Sequence, residues 1–323
     1  MKKFSKLMLI IACLAMVFCF SAGAWAAMPN DSGYLVGDVN NYKYDGTIDV
    51  TVVIESRPYS NTDSSKIFEY FDVTLGQATG VDQISYVNQA LYAVSSNNNK
   101  NITLCSDGAG STPMSATSSF VGSVKQGTKV YGSLWMMDGW MFKVNGQIPL
   151  SSWTSGPPAG TPSGEAINTT PLKDGDVIHF YNDNPNMMYG ADYQPTDYAN
   201  VNYVYPVATY DAAANKVTVT VKQNTNTFDA AFNWDITAFS PYTNTNTTVR
   251  ILNSSGLTAG QANIESDGTA EIAPTTSLGS GTCKVIVDSQ TTQTAYGLNM
   301  NTFAMENFTF LGTTNGFNTF TVN

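Results

Sequence analysis

Residues 46–55 read GTIDVTVVIE, and this stretch decides the fold class of the first half of the chain. Apolar side chains alternate with mostly polar ones at a period of two, which is typical of a β-strand and not of a helix. One face carries the apolar side chains Ile48, Val50, Val52 and Ile54. The stretch therefore predicts a strand with one buried face and one open face.

A helix and further strands follow this first strand. Residues 83–95 place Ile84, Val87 and Leu91 at helical spacing, and the run Asn97-Asn98-Asn99 ends that pattern. The remaining strands predicted for this half are 71–76, 102–105, 130–137, 140–144 and 177–181. We therefore expect an α+β domain with a single helix.

The second half of the chain changes to short strands alone. They are separated by Asn, Gly, Ser and Pro, which is typical of an antiparallel sandwich of the immunoglobulin-like type. The strands predicted there are 217–222, 230–238, 247–252, 269–272, 283–287, 303–310 and 317–322. The fold class is thus mainly β. We expect four segments: a leader at 1–26, an α+β domain at 27–184, a Tyr-rich linker at 185–206 and the sandwich at 207–323.

The first 26 residues have the pattern of a cleavable secretory signal peptide. Three lysines precede residue 7, residues 7–20 are apolar, and Ala24-Trp25-Ala26 has the small-x-small form of a cleavage site. A membrane anchor and a lipoprotein processed at Cys13 are the alternatives. The leader predicts a secreted protein, free in the medium or associated with the cell surface.

Composition narrows the classes of partner. The chain has 25 acidic against 15 basic residues, which argues against nucleic acid, because binding to phosphates needs clustered Lys and Arg. After the leader no apolar stretch is long enough to span a membrane. Only 12% of the residues are charged, so we expect an uncharged polar surface of the kind that suits ligand binding or adhesion.

Two turn motifs stand out. In GWMFKVNG, residues 139–146, Gly139 makes a turn together with the preceding Asp138. Asn145-Gly146 has the composition of a type I′ hairpin turn, where both positions need positive φ. In LKDGDVI, residues 172–178, Gly175 and Asp176 turn the chain into the next strand. We expect both motifs to be structural.

The order of two strands, a helix, a loop and these two motifs resembles the transcobalamin C-terminal-like family over roughly residues 48–184. The resemblance implies a compact β-grasp-like module of exported bacterial proteins. In the animal cobalamin carriers the similar domain caps a corrinoid that a separate helical domain holds, and this chain lacks a helical array. Cobalamin is therefore the ligand that the resemblance offers as an alternative, and we expect no other cofactor.

Four aromatic residues are the candidate ligand-binding residues. Trp140 and Phe142 share one strand face, where they either fill the core or form one side of a groove. Trp135 and Trp153 are close to polar, Gly-rich loops that have the composition of contact surfaces.

The sequence offers little for catalysis or metal binding. It has one histidine, His179, and no nucleophile elbow, so triad chemistry and zinc sites are not expected. The Asp-rich turn at 37–49 departs from the spacing of a calcium loop. Outside the leader only Cys105 and Cys283 remain; they either form a disulfide between the two domains or stay as two buried thiols.

These observations favour an exported, non-catalytic binding or adhesion protein whose partner is a surface polymer, a protein or a small molecule. Two alternatives stay open. One is a small-molecule carrier of the corrinoid type. The other is a structural subunit of a surface layer or filament, in which an exposed edge strand pairs with a neighbour.

Overall fold

The computed structural model describes residues 34–323 except 57–66, 79, 81, 98, 133–138, 151–163, 184–200, 229–233, 237–238 and 300–303. For residues 56, 132, 139, 182–183, 201–203, 224–228, 234–236, 290–299 and 304–314 it describes the backbone alone. The predicted leader and most of the predicted linker lie outside the described residues. No described helix is long and apolar enough to cross a membrane.

Residues 34–183 form what we call the first unit. Its elements are β1 (Tyr34–Leu35), β2 (Thr47–Ser56), β3 (Ile67–Gly76), α1 (Val87–Ser96), β4 (Ile102–Cys105), β5 (Ser123–Gln126), β6 (Lys129–Gly132), β7 (Gly139–Val144), β8 (Pro149–Leu150) and β9 (Val177–Asp183). The main sheet has the order β3-β2-β9-β7, with β2 and β9 parallel at its centre. A second sheet has the order β4-β5-β6.

The helix covers one face of the main sheet. Its buried side chains, among them Val87, Leu91 and Val94, pack in one core with the apolar face of β2. The helix begins four residues later than the sequence predicted. Gln83 is engaged in a β-bridge with Tyr44, and the extended backbone of residue 86 caps the first helical turn.

Residues 201–323 form the second unit. Its strands are β10 (Val201–Asp211), β11 (Lys216–Phe228), β12 (Trp234–Ile236), β13 (Ser240–Pro241), β14 (Thr247–Leu252), β15 (Thr258–Asn263), β16 (Thr269–Ile272), β17 (Gly281–Asn299) and β18 (Ala304–Val322). Strand β11 pairs with β10 on one side and with β12, β13 and β16 on the other. The second sheet has the order β15-β14-β17-β18. Apolar residues of both sheets share one core.

Over the described residues this architecture confirms a mainly β fold with a single α-helix. Strands β4, β14 and β16 have the predicted bounds. Two features of the second half differ from the prediction. Strand β10 begins at Val201, so the last six residues of the predicted linker belong to a strand, and Val204 and Tyr205 are buried there. The two strands predicted at 303–310 and 317–322 are one continuous strand, β18.

The two units pack against each other through the face of the main sheet that α1 leaves open. An apolar cluster joins Val53 and Val177 of the first unit to Leu252, Ile286 and Phe317 of the second. The rings of Phe317 and Tyr70 lie 5.3 Å apart. The expectation that β2 is buried on one face only is therefore wrong for residues 51–55, because the second unit covers the other face.

The two cysteines that the structure describes, Cys105 and Cys283, are free thiols, so the disulfide alternative is wrong for this structure. Cys105 is buried at the end of β4 in the first unit, and Cys283 belongs to the core of the second. Burial raises the pKa of both thiols. Each cysteine thus packs as a small apolar side chain in a different core.

Candidate functional site

Two of the four aromatic candidates lie in the core of the first unit. Phe142 is 9% exposed and belongs to that core. Trp140 packs against the same core, and its ring stacks on Phe180 at a centroid distance of 5.0 Å and an interplanar angle of 3°. The alternative that these two side chains fill the core is thus the one observed. Trp135 and Trp153 lie outside the described residues.

The two turn motifs meet in space. Asn145 and Gly146 have φ values of 51° and 78°, as a type I′ turn requires, and Gly175 has a φ of 81°. The amide of Asn145 donates a hydrogen bond of 2.8 Å to the carboxylate of Asp176 and accepts one of 2.9 Å from the backbone N–H of Val177. Burial raises the pKa of Asp176, and the hydrogen bonds that its carboxylate accepts from the backbone N–H of Lys173 and from Asn145 oppose the rise. The two turns are thus tied together by hydrogen bonds through the side chain of Asn145.

A cluster of ionisable side chains lies on the face of the main sheet that is opposite to α1 and covered by the second unit. Glu55, His179 and Lys143 come from β2, β9 and β7, and their exposed fractions are 4%, 2% and 0%. His179 Nε2 lies 2.9 Å from Glu55 Oε2. Neighbouring strands place these residues side by side, since Lys143 is opposite His179 in the β7–β9 register.

The second unit closes over this cluster. The amide of Asn315 on β18 donates a hydrogen bond of 3.4 Å to Glu55 Oε1. The ammonium group of Lys143 lies 5.9 Å from the ring centre of Phe239. Ionisable groups that are buried in this way act as a structural link, because removing one member leaves its partners without a hydrogen bond or a counter-charge. We assign the cluster to holding the units together, since the described surroundings leave no open approach to it.

An open polar groove lies on the outer face of the β15-β14-β17-β18 sheet of the second unit, beside the contact between the units. Its volume is about 580 Å³. Strands β14, β15 and β17 and the turn before β14 supply its lining: Asn246, Thr248, Arg250, Gln261, Ile286 and Asp288. Alternation on β14 explains the lining, because Thr247, Val249 and Ile251 point into the sandwich and leave Thr248 and Arg250 on the outside.

Charges in and near the groove are distributed unevenly. Arg250 is exposed and forms no ion pair with any residue that the structure describes. Two residues before Ile286, Lys284 pairs with Asp72 of the first unit at 2.8 Å. The guanidinium group of Arg250 is therefore available to a ligand, whereas the neighbouring lysine is engaged in the contact between the units.

The lining suits recognition by hydrogen bonds. A guanidinium presents five donors in a plane, the two amides both donate and accept, and the threonine hydroxyl does either. One side of the groove is apolar, since Ile286 also belongs to the cluster between the units. Among the described residues no group of three or more His, Cys, Asp or Glu side chains could hold a metal ion.

Sequence reasoning did not single out this groove. Its one usable signal is Arg250, which is one of only two arginines in the chain and lies at an outward position of a clearly alternating strand. Gln261 and Asp288 join it only through strand pairing, which single-sequence patterns do not specify. Comparisons with protein-family models, with curated proteins and with solved structures found no match to this chain.

Proposed function

We propose that this chain is an exported, non-catalytic binding protein that captures a polar, hydroxyl-rich ligand, such as a surface glycan, in the groove around Arg250. The observation that carries the proposal is an exposed arginine, without an ion pair among the described residues, in a groove of about 580 Å³. Sites for small ligands commonly have volumes of about 300–1,000 Å³. The leader predicted at residues 1–26 supports export.

The chemistry of the lining supports binding over hydrolysis. Of the six lining side chains only Asp288 is a carboxylate. Glycoside hydrolysis uses a pair of carboxylic side chains, and acyl transfer needs a nucleophile beside a base. The groove lining holds neither arrangement.

Charge narrows the class of ligand. The chain has a formal net charge of −10, which disfavours a polyanion at long range. Within the groove, Arg250 and Asp288 are of opposite sign and two amides lie near them. A neutral polyol or a sugar with several free hydroxyl groups matches this mixture of donors and acceptors.

Binding to glycan arrays and to isolated wall or matrix polymers tests the proposal directly. Arg250→Ala is expected to weaken binding about 10- to 100-fold, because a hydrogen bond to a charged group contributes about 1.5–3 kcal/mol. Lys43→Ala is the matched control, since Lys43 is exposed, lies outside the groove lining and removes the same charge. Equal binding by the two variants would place the site elsewhere, and failure of the native chain to bind any such polymer contradicts the proposed function.

The corrinoid alternative depends on the family resemblance. Its two described candidates, Trp140 and Phe142, pack in the core, so a flat ligand at these residues has to displace Phe180 from the ring stack. Titration with cobalamin, followed by tryptophan fluorescence with correction for absorption, is expected to show no saturable quenching. Saturable quenching at micromolar cobalamin would favour the carrier over the glycan-binding protein.

A further inference from the structure

The hairpin of β17 and β18 is longer than the sandwich to which it belongs. Its two strands pair without interruption from Gly281 with Val322 to Asn299 with Ala304. Strand β14 pairs with β17 only from Lys284 to Ser289. Residues 290–299 and their partners 304–313 therefore extend past the last paired residue of β14, over roughly 33 Å at about 3.3 Å per residue.

This extension is two-stranded in the part of the chain that the structure describes. An isolated two-stranded ribbon is marginally stable in water, whereas a third strand or a packed face stabilises it. The hairpin continues in register for ten residues beyond the sandwich. A partner for this part of the hairpin is thus expected on physical grounds.

The outer edge of β18 differs along its length: β10 covers it near Asn318, which donates a hydrogen bond to the carbonyl of Pro206, whereas the sequence of the extension has none of the features that protect an edge strand. Natural edges are protected by lysines, prolines, bulges or short length. Residues 290–323 contain no proline and one charged residue, Glu306. The pairing of β18 with β17 has no register shift, in contrast to the pairing of β14 with β15, which shifts near Leu252. No described strand pairs with the outer edge of β18.

We propose that the edge of β18 at residues 304–313 is a self-association surface on which the same residues of a second copy of this chain pair antiparallel, across a two-fold axis. An identical strand offers the same length and the same near absence of charge, so neither copy repels the other. Two-fold pairing uses the same edge on both copies and closes the assembly at a dimer. The two hairpin extensions then form one four-stranded ribbon.

The opposite edge of the same sheet is a poorer partner for β18. Strand β15 has six residues, whereas β18 has nineteen. Head-to-tail pairing of β18 with β15 therefore leaves most of β18 unpaired and grows without closing. The mismatch in length favours the closed dimer over a filament.

The experiment measures the mass of the mature chain by light scattering coupled to size-exclusion chromatography over a range of concentrations. The native chain is expected to change from monomer to dimer as its concentration rises. The double variant Thr309→Lys, Thr313→Lys adds two charges to the extension, and we expect its dimer dissociation constant to be at least 10-fold higher. Thr258→Lys with Asn263→Lys adds the same charge to exposed positions of β15 and is expected to dimerise like the native chain.

Three results overturn the proposal: a native chain that stays monomeric at all concentrations, mass that grows without limit, or dimerisation blocked by the β15 variant alone. Circular dichroism checks that each variant folds. Hydrogen exchange of the native chain supplies a readout without mutation. Amide protection at residues 304–313 is expected to increase with protein concentration, and protection that is the same at low and high concentration also overturns the proposal.

Discussion

Replacing Phe317 by alanine tests whether the two units form one cooperative structure. The side chain is 1% exposed, and it packs on the first unit although it belongs to the second. Truncating a core phenylalanine costs about 3–5 kcal/mol through lost transfer energy and the cavity that remains. For a domain of 150–250 residues each kcal/mol lowers the melting temperature by about 2–4 °C, so we expect a decrease of roughly 10 °C.

The assay follows chemical unfolding by far-UV circular dichroism and by tryptophan fluorescence. Three of the four tryptophans outside the leader precede residue 184, so fluorescence reports mainly the first unit. If the units are coupled, both signals shift together in Phe317→Ala. Phe120→Ala is the matched control: Phe120 is 59% exposed, and we expect a change below about 0.5 kcal/mol. A fluorescence transition in Phe317→Ala that coincides with that of the control would refute the coupling.

The remaining predictions concern turns, pH and thiols. Gly146→Ala is expected to lower the melting temperature more than Gly175→Ala, although both glycines have positive φ. A Cβ at residue 146 would lie 2.7 Å from the ring of Tyr205 in the second unit, whereas a Cβ at residue 175 would meet nothing within 4 Å. Because burial raises the pKa of Asp176, its contribution to stability is full below the unfolded pKa and is lost as the pH rises through the folded pKa. The stability of the native chain relative to Asp176→Asn is therefore expected to fall between pH 3 and 7 in chemical unfolding, and a difference that does not change with pH contradicts this. Ellman's reagent is expected to label neither Cys105 nor Cys283 in the folded chain and both after unfolding without reductant, whereas a disulfide gives no labelling in either state.

The sequence was informative wherever a local pattern determines structure. Alternation located β4 and β14 to the residue, and the need for positive φ located the Asn145-Gly146 turn. Strand β10 was not predicted because Tyr, Asn and Pro206 give it the composition of a linker, although Pro206 lies within the strand. A proline is tolerated there because β10 is the edge of its sheet.

Features that depend on how distant segments meet could not be predicted. The odd-numbered residues of β2 include Thr51 and Glu55, which suggested a solvent-facing side. Only the packing of the second unit buries them, and no pattern within β2 encodes that contact. The groove could not be predicted for the same reason. Three strands supply its lining, and the sequence specifies neither their pairing nor their neighbours.

Because its main sheet is covered on both faces, the first unit is not expected to be exchanged between genes by itself. If recombination moved residues 34–183 into another gene, the fragment would present Val53, Val177 and the Glu55–His179 pair to water. The transferred segment would then need a host that supplies an apolar surface and an amide like that of Asn315. The two halves are therefore expected to be inherited as one piece, unlike modules that are exchanged freely between proteins.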